Sequence, residues 1–147
     1  MATQVTPAMH GDIGIRDRTA VRSANPALQA FWILRIAFTV APIVAGADKF
    51  GYRLTDWSQY LAPRVPEMLK LDAPTFMKIV GVVEIVAGIG VALFPRVFGY
   101  VVAAWMLGII VNLLMIPGFY DIALRDLGLA LGALALARLA SARAKDF

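Results

Sequence analysis

The chain has no cysteine and a single histidine, His10. Without thiolates there is no disulfide, no thiol relay, no thiolate zinc site and no iron-sulfur ligation. One imidazole cannot supply both axial ligands of a bis-histidine haem, and standing alone in a polar tail it makes a poor metal ligand. No metal site is therefore expected, and no covalently bound cofactor. A phosphate-cradling glycine loop is also missing, because Gly88-Ile89-Gly90 lies within an apolar run and follows no strand. Charge is scarce as well, at 16% of residues. The net charge of +4 comes from scattered basic residues, none clustered densely enough to read as a nucleic-acid surface. Nor does the sequence hold a complete set of nucleophile, base and orienting group, which argues against independent catalysis.

What the chain has in abundance is apolar length. Apolar residues make up 60% of it and the mean hydropathy is +0.72. Four apolar stretches run through residues 27–140. Residues 97–120 carry no charge, residues 79–95 carry only Glu84, and residues 27–47 carry only Arg35. Each is about the length that crosses a hydrocarbon core, which takes about 20 helical residues. The fourth stretch, 120–137, is the most polar, with Asp121, Arg125 and Asp126 in its first two turns. A soluble helical bundle is the alternative that such uncharged runs disfavour. The reading is an all-α integral membrane four-helix bundle, an embedded domain at 27–140 between a polar tail at 1–26 and a basic tail at 141–147.

On a 3.6-residue helix the polar and small residues fall into stripes. Arg35, Thr39, Pro42, Gly46 and Lys49 share a face of the first stretch. Gly81, Glu84 and Gly88 share one in the second, Ala104, Gly108 and Asn112 in the third, and Asp121, Arg125, Gly128, Gly132 and Ala135 in the fourth. Charges facing lipid are expelled, and helices that approach closely need small residues at the contact. Hence Gly46, Gly81, Gly88, Gly108, Gly128 and Gly132 are expected at helix contacts. The interior network is expected to comprise Arg35, Asp48, Lys49, Glu84, Asn112, Asp121, Arg125 and Asp126. Glu84 falls near mid-depth, where an unpaired carboxylate costs about 2.5 to 3.5 kcal/mol on insertion scales. By depth and face its expected partner is Arg125, with Lys49 joined to Asp126 or Asp121 and Asn112 bridging. A purely structural role for these groups, fixing helix register, stays open beside a chemical one.

Short proline breaks at 94–96 and 116–118 predict that the second, third and fourth helices are sequential antiparallel neighbours. Between the first two, residues 56–62 read as a short amphipathic helix at the outer surface. Asp72 caps the second stretch, with Pro74 in its first turn. Phe50, Tyr52, Trp57, Tyr60, Phe119 and Tyr120 are expected to form an aromatic belt. Residues 1–26 lack the apolar core of a secretory signal, so Met1 is expected to begin the mature chain, with a disordered tail. Seven basic residues on the side of the termini against five on the other predict cytoplasmic termini in a multi-pass protein of the cell (inner) membrane.

The order of Arg35, Gly46-Ala47-Asp48-Lys49-Phe50, a proline-bearing loop with Trp57, Gly81-Val82-Val83-Glu84, Asn112 late in the third helix and Arg125-Asp126 opening the fourth resembles the DoxX-like membrane proteins. The resemblance spans residues 31–140. It implies a four-helix membrane bundle whose namesake is the small subunit of a thiosulfate:quinone oxidoreductase. No catalytic residue is carried over, since the family has no agreed one and this chain has no cysteine to handle thiosulfate. Two functions follow as expectations. One is an accessory or structural subunit of a membrane oxidoreductase or quinone-linked complex, in contact with lipid and other membrane or redox subunits, with Lys49, Arg125 and Tyr60 as candidate donors to a quinone. The other is a small transporter or proton path through Glu84 and Arg125.

Overall fold

The side chain of Asn25 accepts a hydrogen bond of 2.9 Å from the Ala27 amide, and Pro26 follows where a missing N–H leaves nothing unsatisfied. Helix α1, Pro26–Asp48, starts there in a computed structural model that describes residues 25–143. Of the expected tails at 1–26 and 141–147, residues 1–24 and 144–147 lie outside the described residues, while Pro26 already belongs to the first helix and residues 141–143 still belong to the last. Pro42 removes the amide that would reach the Phe38 carbonyl, but α1 continues through it to Asp48. The connection holds a 3-10 turn, Trp57–Tyr60, and a short helix α2, Arg64–Leu69. A single amphipathic helix over 56–62 does not form. Pro63 disfavours helical backbone at the residue before it, and the turn ends with Leu61 extended. Leu61 and Ala62 are buried instead, Leu61 packing with Met77 and Val80.

Helix α3, Ala73–Leu93, opens with the Thr75 amide donating to the Asp72 carboxylate at 3.0 Å. Only Phe94 separates it from α4, Pro95–Leu114. Gly118, at φ +96°, takes the left-handed conformation that turns the chain into α5, Tyr120–Arg143. All regular structure among the described residues is helical.

The four long helices associate mainly as two pairs, α1 with α3 and α4 with α5. In the first pair Gly46 meets Gly81, Thr39 meets Gly88, and Arg35 reaches Ala92, so the helices run antiparallel. A Cβ on Gly46 would lie 2.5 Å from the Gly81 carbonyl oxygen, and one on Gly81 would lie 2.6 Å from that of Gly46. The absence of both side chains permits this contact. In the second pair Gly99 rests on Ala133 and Ala137. Phe31, Phe38, Val91, Val102 and Leu136 fill the space between the pairs. Contact between α3 and α4 is slight beside that within the pairs, so sequence neighbours there are not the main packing partners.

Helices α1, α3 and α4 are long and apolar enough to cross a membrane, and α5, although as long, is not among them. Their outward faces are apolar, with Ile33, Ile36 and Val40 exposed on α1 and Val97, Val101 and Val111 on α4. A water-facing surface of that kind is unusual for a soluble monomer, whereas lipid accepts it.

The orientation of α4 and α5 differs from the predicted stripes. Ala104 and Gly108 are exposed, and a Cβ on Gly108 would meet nothing within 4 Å. Asp121, Arg125, Gly128 and Ala135 are exposed as well, and Gly128 also has an open surround. The buried row on α5 is Asp126, Ala130, Ala133, Ala137 and Ala140. That row has the same i, i+4, i+7, i+11, i+14 spacing, and its alanines allow the close approach to Gly99. Gly132 lies at the margin, where an added Cβ would come 3.2 Å from the Phe38 ring.

Candidate functional site

The charged centre of the bundle is Lys49 with Glu84. Lys49 Nζ donates to Glu84 Oε2 at 2.6 Å, and both residues are buried. Their meeting follows from helix geometry. Side chains on a helix lean toward its N-terminus. Lys49, at the C-terminal end of α1, therefore leans into the bundle, while Glu84 on the antiparallel α3 leans toward the loop. Gly46 and Gly81 supply the room, since the built Cβ of Gly81 lies 3.2 Å from that of Lys49 and the built Cβ of Gly46 lies 3.2 Å from that of Glu84. The Trp57 ring covers the ammonium group, with its centroid 3.7 Å from Nζ.

Asp48 positions that cover. Its carboxylate accepts from the Arg53 amide at 3.0 Å, the Leu54 amide at 3.0 Å and the Trp57 indole N–H at 2.8 Å. It thus organises the loop and does not enter the interior pair. Asn112 fastens the same loop to α4. Its side-chain oxygen accepts from the Ala62 amide at 2.9 Å and its amide nitrogen donates to the Tyr60 carbonyl at 2.6 Å. Tyr60 stacks edge-on between Trp57 and Phe119, with centroids 6.3 and 5.2 Å away. Lys49, Glu84, Asp48, Asn112 and Trp57 form one continuous polar cap at the loop end of the helices.

Glu84 does not pair with Arg125. The side chain of Arg125 is 68% exposed and lies 3.4 Å from the carboxylate of its own neighbour, Asp126, which is turned inward. Two adjacent helical residues are about 100° apart, so only one can face the core. Lys49 is joined to neither Asp126 nor Asp121. Arg35 lies near the opposite end, separated from Lys49 by 14 positions, or about 21 Å of helix. There it donates from Nη2 to the carbonyl of Ala92, one of the last in α3 and without an intrahelical partner.

Trp57 and Trp105 were not singled out as site residues by the sequence. Trp57 is at the centre of the cap, and the buried indole N–H of Trp105 has no hydrogen-bond partner among the described residues. The tryptophan nine residues after Asp48 offered a signal for the first. Nothing in the apolar context of Trp105 marks the second. Chemically, the cap joins one salt-bridged acid and base to a fixed aromatic cover. It provides neither an activated nucleophile nor, among the described residues, a cluster of three metal-ligating side chains. No protein-family model, curated protein or solved structure matches the chain.

Proposed function

We propose that this chain is a DoxX-like, four-span protein of the cell inner membrane with cytoplasmic termini, acting as an accessory or structural subunit of a membrane oxidoreductase or quinone-linked complex. The observation that carries the reading is the closed state of the Lys49–Glu84 pair. Both charges are used by each other, and the Trp57 indole lies over the ammonium group. A group committed in this way stabilises a contact and sets register, as buried polar groups do in other bundles. The apolar faces of α1 and α4 supply surface for lipid and for neighbouring subunits. α5 crosses with them by its length of 24 residues and by its packing on α4. If a quinone is held at this end, Arg125 and Tyr60 remain as candidate donors, because Lys49 is engaged.

The transport alternative has less support, since the Glu84–Arg125 couple on which it relied is not formed. Purification in mild detergent tests the proposal, with identification of copurifying proteins and extraction of quinone. Recovery of an oxidoreductase whose electron transfer to quinone falls when this chain is deleted is the expected result. Recovery of the chain without such a partner, and unchanged quinone reduction in the deletion strain, would reject it.

A further inference from the structure

The end of the bundle that carries the chain termini has a chemistry unlike the capped end. Arg35, Arg96 and Arg143 line a cleft of about 450 Å³ together with Phe31, Pro95 and Ala140, and Phe94 and Val97 form its apolar rim. The guanidinium groups of Arg143 and Arg35 lie 4.4 and 5.8 Å from the centre of the buried Phe31 ring. Arg35 is also 5.0 Å from the Trp32 ring. The rings hold both cations in place without taking up any of their N–H groups as hydrogen-bond donors. Arg35 uses Nη2 on the Ala92 carbonyl. Nη1 of Arg143 is buried with no hydrogen-bond partner among the described residues. No carboxylate among the described residues lines the cleft. Every acid among the described residues lies at or above the level of Glu84, on the loop side.

A buried guanidinium N–H without an acceptor is costly, and three arginines around one cleft repel each other until an anion joins them. We propose that this cleft is a binding site for a phosphate group, and that its source is the headgroup of an anionic phospholipid. Arginine presents a planar fork of donors that matches phosphate oxygens. A basic pocket between membrane helices is a recognised way to hold such a headgroup. The choice of source rests on Phe94 and Val97, which are exposed at 61% and 56% beside the arginines. A free anion gains nothing from that rim, whereas acyl chains would cover it.

The test uses the full chain purified in detergent and titrated separately with phosphatidylglycerol, phosphatidylcholine and inorganic phosphate. Bound species are counted by native mass spectrometry and the thermal midpoint is followed. Phosphatidylglycerol should bind and raise the midpoint while phosphatidylcholine does neither. Arg96→Gln and Arg143→Gln should each weaken phosphatidylglycerol binding about tenfold, the order of one charge-assisted hydrogen bond. Arg138→Gln, exposed on the same end outside the cleft, should leave it unchanged. If Arg143→Gln does not fold, the exposed Arg96 carries the test. Equal binding of both lipids, or full binding by Arg96→Gln, would overturn the site. Displacement of phosphatidylglycerol by inorganic phosphate at matched concentration would overturn the lipid source and leave a free-anion site. The lipid source presupposes the membrane placement proposed above, but the phosphate titration does not, so failure of one is distinguishable from failure of the other.

Discussion

The two ends of the helical bundle solve the problem of charge in opposite ways. At the loop end Lys49 is answered by Glu84, Asp48 by two amides and an indole, and Asn112 by the Ala62 amide and Tyr60 carbonyl. At the terminal end the arginines are answered by ring faces and one carbonyl, and no acid is near among the described residues. Among the described residues Lys49, Glu84, Asp48 and Asn112 all find partners at the first end, whereas Nη1 of Arg143 finds none at the second. Paired groups within one chain point to architecture. An unanswered guanidinium N–H beside two further arginines points to an anionic ligand, because a desolvated charged donor without an acceptor is costly.

The largest expected effect comes from breaking the pair. Glu84→Gln or Lys49→Met leaves the other charge buried and unanswered, which typically costs about 3 to 5 kcal/mol, while apolar replacement of both is often nearly neutral. Unfolding in detergent should show each single variant strongly destabilised and Lys49→Met with Glu84→Leu restored to near the parent. Losses that simply add would mean the two residues stabilise separate features.

Next in size is the glycine contact. Gly46→Ala forces a methyl group against the Gly81 carbonyl oxygen, and overpacking of this kind costs about 1 to 3 kcal/mol. Gly128→Ala meets nothing within 4 Å and should be neutral or stabilising by up to about 1 kcal/mol through helix propensity. The same unfolding assay compares them. If the two substitutions have equal effects, the contrast between a tight α1–α3 seam and an open α5 face is wrong.

The smallest effect is at Asp72, outside the apolar spans. Hydrogen bonds from the Thr75 side chain and amide hold its carboxyl below the ordinary value. A depressed native value means that the cap contributes fully above the ordinary carboxylate range. That contribution is lost as pH falls through the native value. Protection of the Thr75 amide, taken as observed exchange against its intrinsic rate at each pH, should fall on acidification in the parent, and Asp72→Asn should remove that dependence. An identical pH profile in both proteins would show that the carboxylate has no role in starting α3.

Helical length and apolar runs were readable in the sequence because they depend on local composition and spacing. The capping by Asp72 was accessible for the same reason, since it reaches only three residues, while the equally local cap by Asn25 is shown by the structure alone. Which face of a helix turns inward was harder. On α1 and α3 the glycines share the polar stripe, and the two signals agree. On α5 Asp126 and its alanines compete with Arg125 and its glycines at almost the same spacing. Only the approach to Gly99 on another helix decides between them. The partner of Glu84 was hidden by a similar non-local fact: depth and face favoured Arg125, but the opposite lean of side chains on antiparallel helices brings in Lys49.

Phe94 has a mechanical consequence. Its amide donates to the Gly90 carbonyl, and its own carbonyl accepts from the Val97 and Phe98 amides, so one residue is bonded into both α3 and α4. The joint between the two helical pairs is therefore one residue long: a pivot that keeps both helices intact has only the φ and ψ of Phe94 to turn about. Phe98 also packs where a Cβ on Gly90 would be, which locks the joint from the side. Rocking of one half against the other, the motion on which alternating access depends, would at this joint have to move the Phe98 ring off Gly90. The same joint carries Phe94 and Val97, so any such turn would shift the apolar rim of the arginine cleft with it.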